Sequence, residues 1–149
     1  MYMRLLLMIF SALMLLCSCK NDSYDLVVGQ WDPCKISVEN AQVTKKDGSY
    51  YIDVPASGAM FNVKVTNYSG WTISTIAIRT NENDDFKLIY YGNITYRGTK
   101  DKDWYDFTVD KEKLNCSIKP NPLATERTVR LGMSAGDSAC DIYIHQSEK

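Results

Sequence analysis

Few side chains in this chain of 149 residues could do acid–base or nucleophilic chemistry. Its single histidine, His145, lies among alternating apolar residues at a position predicted to face solvent. Carboxylate pairs, such as Asp84 with Asp85 or Asp101 with Asp103, are the groups that cleave glycosidic bonds, but here they lie in polar sequence typical of solvated turns. No G-x-S-x-G, H-E-x-x-H or phosphate-loop motif is present. The sequence therefore predicts a protein that is not an enzyme.

The possible metal ligands are also not spaced for a site. Asn81, Asn83, Asp84 and Asp85 offer the oxygen ligands that Ca²⁺ prefers, but they lack the spacing and the bidentate glutamate of an EF-hand. The five cysteines include no C-x-x-C pair. We therefore expect neither a metal nor a cofactor.

Aromatic side chains are the best indication of a binding site. Tyr90, Tyr91 and Tyr96 concentrate in one segment, FKLIYYGNITYRG, and Trp104 follows it. Tyr and Trp rings stack on the C–H faces of sugars and cost little entropy to hold in place. These four residues are our candidate platform for a glycan or an envelope protein. The alternative is that the rings pack over the edge of the domain, because exposed apolar patches are rare.

Three thiols, Cys34, Cys116 and Cys140, follow the N-terminal region. In an oxidising compartment two of them could pair, either Cys116 with Cys140 or Cys34 with Cys140. The alternative is that all three are small buried apolar residues, as unpaired cysteine commonly is. Strand neighbours need a suitable Cβ separation to bridge, which slightly favours the unpaired interpretation.

The first eighteen residues are typical of an export signal. Arg4 precedes an apolar run, residues 5–16, that is too short to span a bilayer. The run ends in Leu16-Cys17-Ser18-Cys19, which resembles the bacterial lipobox, where signal peptidase II cuts before the cysteine. The resemblance implies that Cys19 carries the acyl chains and anchors the protein stably to a membrane. An ordinary secretory signal with incidental cysteines is the alternative.

Removal of residues 1–18 leaves a mildly acidic chain. Arg4 is the only charged residue lost, so 16 basic residues face 18 acidic ones, a net charge of −2. Without a basic field, nucleic-acid binding is not expected. Residues 19–33 are predicted to be a tether. We expect an outer-membrane lipoprotein, with the periplasmic or surface-exposed face left open.

The remainder alternates between apolar and polar residues, with turn signals between short runs. This pattern predicts an all-β, immunoglobulin-like β-sandwich over residues 34–147, with a first strand near 35–43. Trp71 shares its alternation with Ile73 and is predicted to be in the core. A change of parity near Ser74-Thr75 predicts a β-bulge or a change of strand partner.

An insertion at residues 80–103 interrupts the pattern. Its flanks are polar, and its middle predicts a β-hairpin of strands 86–91 and 94–98 that projects from the sandwich. We predict that ligand contact is made by residues 86–98 with Trp104, and not by the faces of the sandwich, because loops and projections change without disturbing a core.

Residues 54–74 and 103–146 share a set of features with one known family. The features are a small-residue turn, an alternating strand, a Gly-Trp pair, a second tryptophan, an asparagine-to-arginine strand connection and a closing strand ending in glutamine. They are matched here by Gly58, residues 61–65, Gly70-Trp71, Trp104, Asn121 to Arg127, and Gln146. In these features the chain resembles the BACON domain. The resemblance implies an immunoglobulin-like sandwich from Bacteroidetes and a role in carbohydrate or mucin binding.

The expected function is therefore that of a non-catalytic cell-envelope lipoprotein with a carbohydrate-binding module. The alternative is a structural spacer or a protein-interaction subunit without a ligand of its own. Exposed coplanar aromatic rings would favour a glycan, and a continuous apolar face on the hairpin would favour a protein partner.

Overall fold

In the part of the chain that the structure describes, ten β-strands form two sheets that pack face to face as an immunoglobulin-like sandwich. The computed structural model describes residues 31–92 and 104–149. The strands are β1 Ile36–Glu39, β2 Val43–Lys46, β3 Ser49–Val54, β4 Ala59–Val65, β5 Thr72–Arg79, β6 Lys87–Tyr91, β7 Tyr105–Asp110, β8 Lys113–Ile118, β9 Arg127–Ala135 and β10 Ser138–Gln146. The predicted all-β sandwich is confirmed. The predicted signal peptide, Cys19 and nearly all of the tether lie outside the described residues.

One sheet has four strands in the order β1-β4-β8-β7, and the other has six in the order β2-β3-β10-β9-β5-β6. The pairs are antiparallel except β3 with β10, which run parallel and join an early strand to the last one. Residues 32–149 form one compact unit. Within the described ranges, no helix is long and apolar enough to cross a membrane.

The core is built from the inward-facing residue of each alternating pair. On the six-stranded sheet, Ile52, Leu131 and Ile142 are fully buried, and Phe61 and Val63 oppose them from the four-stranded sheet. Burial of one face enforces the period of two, because a shift of one residue would expose the whole apolar set. The outer faces of the sandwich therefore carry the residues of the opposite parity.

Two local predictions are confirmed. Trp71 is buried in the core. The register between β5 and β9 shifts between Ile73 and Thr75, which is a bulge at the predicted position. The extra residue, Ser74, donates its hydroxyl to the carbonyl oxygen of Gly132 at 3.1 Å.

The single first strand predicted near 35–43 is wrong. The chain forms β1 in the four-stranded sheet, turns at Asn40 with a φ of 67°, and enters the six-stranded sheet as β2. A left-handed backbone at asparagine is tolerated because its short polar side chain bonds locally. The inward residues of β1, Ile36 and Val38, have even numbers, whereas the inward residue of β2, Val43, has an odd number. This change of parity is the signal in the sequence that marks the corner.

The predicted projecting hairpin is also wrong in its placement. Its first strand, β6, is hydrogen-bonded to β5 and forms the edge strand of the six-stranded sheet. The predicted second strand, 94–98, lies outside the described residues. The prediction that a ligand contacts the hairpin and not the faces of the sandwich therefore cannot be applied to β6, because β6 is itself part of one face.

Candidate functional site

The outer face of the six-stranded sheet brings exposed aromatic and charged groups of several strands together. Register places Tyr51 beside Tyr143, Tyr143 beside Arg130, Arg130 beside Ala77, and Ala77 beside Leu88. These residues alternate with the buried core residues of the same strands, so they point outward. We call this surface, from Tyr51 on β3 to Tyr91 on β6, the outer face.

Aromatic rings and arginines form a continuous set of contacts on the outer face. Tyr51 and Tyr143 stack with ring centroids 5.1 Å apart and planes 11° apart. Phe86 meets Tyr143 edge-on at 6.0 Å. The guanidinium of Arg130 lies 5.8 Å from the Tyr143 ring, and that of Arg79 lies 4.8 Å from the Phe86 ring. Each ring is thereby held in place, which lowers the entropy lost when a ligand binds.

An ion pair fixes the charges beside these rings. Arg130 donates from Nη2 to the Asp141 carboxylate at 2.7 Å. The hydrogen bond from Arg130 to Asp141 raises the pKa of Arg130 above its usual value, although burial acts in the opposite direction. Both side chains remain about one-third exposed. The pair therefore offers oriented donors and an acceptor to a polar ligand.

A hollow that Asp141 and Gly132 help to line lies beside the ion pair. Register places Asp141, Gly132, Thr75 and Tyr91 in one row across the outer face. The hollow has a volume of about 310 Å³ and is lined in part by Asp141, Thr75, Ser49 and Gly132. A Cβ on residue 132 would lie 3.1 Å from Thr75 Cβ. The close approach to β5 explains the glycine, and the open space leaves hydroxyl and carboxylate groups accessible.

Of the four aromatic residues predicted to form a platform, the three described ones, Tyr90, Tyr91 and Trp104, are not in one place. Tyr91 is 81% exposed and lies at the end of the row across the outer face that contains Gly132 and Thr75. Tyr90 has the opposite parity, is half-buried and packs against the core. Tyr96 lies outside the described residues. Of the three described, only Tyr91 is fully available on the outer face.

Trp104 belongs to a different set of contacts. The Arg127 guanidinium covers its indole ring at 4.1 Å, and Tyr105 meets the ring edge-on at 5.3 Å. Arg127 is next to Thr128 on β9, and Thr128 pairs with Arg79 of β5. Tyr91 pairs with Thr75, which lies four residues before Arg79 on β5, so the two positions on β5 are about 13 Å apart. The prediction that Trp104 joins the tyrosines in one binding site is corrected by these contacts. Parity could not reveal that an arginine lies over the ring.

A buried hydrogen-bond network surrounds Trp104, and we call it the polar clamp: Trp104, Asn121, Arg127 and Gln146. Arg127 donates to Gln146 Oε1 at 2.8 Å and to the carbonyl oxygens of Lys119 and Pro120 at 3.0 Å each. Gln146 donates to the carbonyl oxygens of Pro55 at 3.1 Å and Lys119 at 3.0 Å. The polar clamp joins both sheets at one end of the sandwich.

Asn121 completes the polar clamp by holding the connection before β9. Its side-chain amide donates to the carbonyl oxygens of Thr125 at 2.9 Å and Ser147 at 3.0 Å. Its backbone N–H donates to the carbonyl oxygen of Ala56 at 2.7 Å. The clustered residues Trp104, Asn121, Arg127 and Gln146 are among those on which the resemblance to the BACON domain depends. Their contacts give them a structural role.

His145 lies in a line of groups that resembles a hydrolytic site, but the hydroxyl in that line is buried. Its Nδ1 is 3.3 Å from the Thr128 hydroxyl, and its Nε2 is 3.3 Å from the Glu126 carboxylate. A hydroxyl, an imidazole and a carboxylate are the groups of nucleophilic hydrolysis. Thr128, however, is only 4% exposed and lies within the paired sheet, so a substrate carbonyl has no approach to it. The arrangement is a half-exposed contact between His145 and Glu126 next to a buried threonine.

A second concave surface lies on the outside of the four-stranded sheet. This groove has a volume of about 470 Å³ and is lined by Met60 and by polar residues that include Asn62, Asp106 and Asn115. Met60 is 78% exposed. Among the residues that line it, Phe61 is the one aromatic, and its side chain is buried in the core. The groove therefore offers hydrogen-bonding groups but no exposed ring on which a sugar could stack.

The three cysteines and the possible metal ligands are the remaining candidate groups. Cys34, Cys116 and Cys140 are buried, and none is in a disulfide. Across residues 31–92 and 104–149, no three His, Cys, Asp or Glu side chains come together as a metal site.

Comparison with known proteins establishes the fold. No family model and no curated protein matches the chain. The NMR structure of a protein from Bacteroides thetaiotaomicron is similar, with a TM-score of 0.58 and 23% identity, over 79% of this chain and 89% of that chain. The M1 domain from titin aligns with a TM-score of 0.39 and 10% identity, over 75% of this chain and 92% of that chain. At these identities, the likeness to the Bacteroides protein shows that the two chains share a sandwich fold.

Proposed function

We propose that this chain is a non-catalytic cell-envelope lipoprotein whose sandwich domain binds a glycan through the outer face. The lipid anchor at Cys19 and the outer-membrane location follow from the lipobox-like sequence. The carbohydrate-binding role agrees with the resemblance to the BACON domain. The observation that carries the proposal is Tyr91, an aromatic ring that is 81% exposed and whose partner on the neighbouring strand, Thr75, lines the polar hollow.

The outer face has the two kinds of group that sugar recognition needs. An exposed ring stacks on the C–H face of a pyranose, and polar groups bond to its hydroxyls. Tyr91 supplies the ring, while Asp141 and Arg130 supply an oriented acceptor and oriented donors. The hollow, of about 310 Å³, lies at the lower end of the volumes typical of ligand sites. A saccharide of one or two rings, extended toward Tyr91, suits this geometry.

A glycan array probed with the purified protein tests the proposal. We expect binding that weakens about thirtyfold in Tyr91→Ala, because removal of an aromatic anchor costs about 2 kcal/mol. The matched control is Met60→Ala, which removes an equally exposed apolar side chain from the other sheet and should leave binding unchanged. Equal effects of the two substitutions, or no bound glycan, would contradict the proposal.

A protein-interaction role is the second candidate, and it is favoured by the exposed apolar side chains along β6. Leu88 is 57% exposed, Ile89 is 43% exposed, and Tyr91 continues the row. Exposed apolar patches of this kind mark interaction surfaces. A photo-crosslinking residue placed at Leu88 in cells should then capture one envelope protein, whereas the same residue at Met60 should not.

A further inference from the structure

Two of the buried cysteines lie at opposite ends of the domain sequence but at the same place in the fold. Cys34 precedes β1, and Cys140 lies in β10, 106 residues later. Cys34 is 0% exposed and Cys140 is 7% exposed. Both belong to the single hydrophobic core. Their meeting therefore depends on the docking of the first part of the domain against its last strand.

Hydrogen bonds fix Cys34 against β10. The Tyr50 hydroxyl donates to the carbonyl oxygen of Cys34 at 2.9 Å. Tyr50 pairs with Ile142, two residues beyond Cys140. On the other side, the Cys34 sulfur lies 3.6 Å from the Ser138 hydroxyl, two residues before Cys140. Cys34 is thus bracketed by the two positions that flank Cys140 on the strand.

The two thiols meet between these positions. Ser138 and Cys140 have the same parity on β10 and are both buried, so both point inward toward Cys34. Cys34 and Cys140 are close enough that Cys34 is among the groups that raise the pKa of Cys140. Cys116 lies on β8 in the other sheet, where its thiol donates to the carbonyl oxygen of Leu114 at 3.8 Å. The geometry therefore selects one pair from the three cysteines.

We propose that Cys34 and Cys140 form a disulfide that ties the start of the sandwich to its last strand when the chain folds in the presence of a disulfide oxidant. The proposal is independent of glycan binding. In the balanced reaction, one thiolate attacks the oxidant, RSSR, to form a mixed disulfide and release RS⁻. The second thiolate then displaces the remaining RS⁻. Two electrons pass to the oxidant, and the two protons leave with two RSH molecules.

Burial decides when this bond can form. Burial, together with the neighbouring Cys34, raises the pKa of Cys140 to about 12. Because the thiolate is the reacting species, the folded reduced protein should oxidise slowly at neutral pH. The bond therefore forms before the core closes, and the closed core then shields it from reductants.

The experiment is to refold the full chain with and without a mixture of oxidised and reduced glutathione. Free thiols are then alkylated, and the products are mapped by tryptic digestion and mass spectrometry. We expect a peptide pair linking Cys34 to Cys140 in the oxidised sample, with Cys116 alkylated. Dithiothreitol added after unfolding should break the link at once, and dithiothreitol added to the folded protein should act far more slowly.

Stability supplies a second readout. A disulfide that closes so long a loop should raise Tm by about 10 °C relative to the reduced protein. Cys116→Ala is the matched control, because it removes an equally buried thiol and should keep the difference. Cys140→Ala should abolish it. Alkylation of both Cys34 and Cys140 after oxidative refolding, or a linked peptide that contains Cys116, would overturn the proposal.

Discussion

Replacement of Arg127 by methionine should destabilise the domain strongly, because Arg127 is the centre of the polar clamp. Its guanidinium makes three hydrogen bonds of 2.8–3.0 Å and covers Trp104 at 4.1 Å. Methionine keeps the flexible stem as far as the position of Nε but removes every donor. The substitution therefore removes the polar interactions together with the volume of the terminal guanidinium.

The magnitude follows from the groups left behind. Gln146 Oε1 and the carbonyl oxygen of Pro120 would lose their bonds from Arg127, at about 1–3 kcal/mol for each buried unsatisfied acceptor. Loss of the cation–π contact with Trp104 adds about 1 kcal/mol. Part of this cost is recovered because a buried charge is removed, and burial already lowers the pKa of Arg127. The expected net loss is about 3–5 kcal/mol.

Urea denaturation of the wild type and two variants measures this loss. For a domain of this size, with a slope of about 2 kcal/mol per molar urea, Arg127→Met should lower the midpoint by about 2 M. The matched control is Arg130→Met on the same strand. Its ion pair with Asp141 is partly exposed, so the loss should be at most about 1 kcal/mol. Equal losses for the two arginines would refute the assignment of Arg127 to the polar clamp.

Three further predictions concern other parts of the chain. Gly58→Ala should cost about 2–4 kcal/mol by thermal unfolding, because φ is +84° and the new Cβ would lie 2.4 Å from the carbonyl oxygen of Ile118; an unchanged Tm would contradict this. Cys19→Ala should move the protein out of the detergent phase in a partitioning assay, and unchanged partitioning would disprove the lipid anchor. The hydrogen bond from Lys113 lowers the pKa of Glu39, so its contribution to stability is present above the usual glutamate range and is lost as pH falls through the lowered value. An NMR titration of Lys113→Ala should show the Glu39 pKa return toward 4.5, and no rise would disprove the pairing.

The strands could be predicted because burial imposes a local pattern. Ile52 and Val54, like Ile142 and Ile144, alternate with polar residues, and a chain that buries one face of a sheet must show this period. The bulge near Ser74 could be predicted for the same reason, since a change of parity is visible in the sequence.

The candidate site could be predicted only in part. The concentration of tyrosines in one segment indicates Tyr91. Tyr51 and Tyr143 are about 90 residues apart in the sequence and come together only because β3 and β10 pair in parallel. Their solvent-facing parity, beside buried Tyr50 and Ile142, was the available signal. Trp104 was misplaced because its partner, Arg127, is distant in the sequence and no local pattern shows which side chain covers a ring.

The most direct test of glycan binding by the outer face is a map of backbone amide chemical shifts during titration with the oligosaccharide that gives the strongest array signal. The account predicts that the largest changes cluster on the outer face, at Tyr51, Thr75, Tyr91, Asp141 and Tyr143. Changes centred on Asn62 and Asn115, in the groove of the four-stranded sheet, or around Trp104 in the polar clamp, would contradict it.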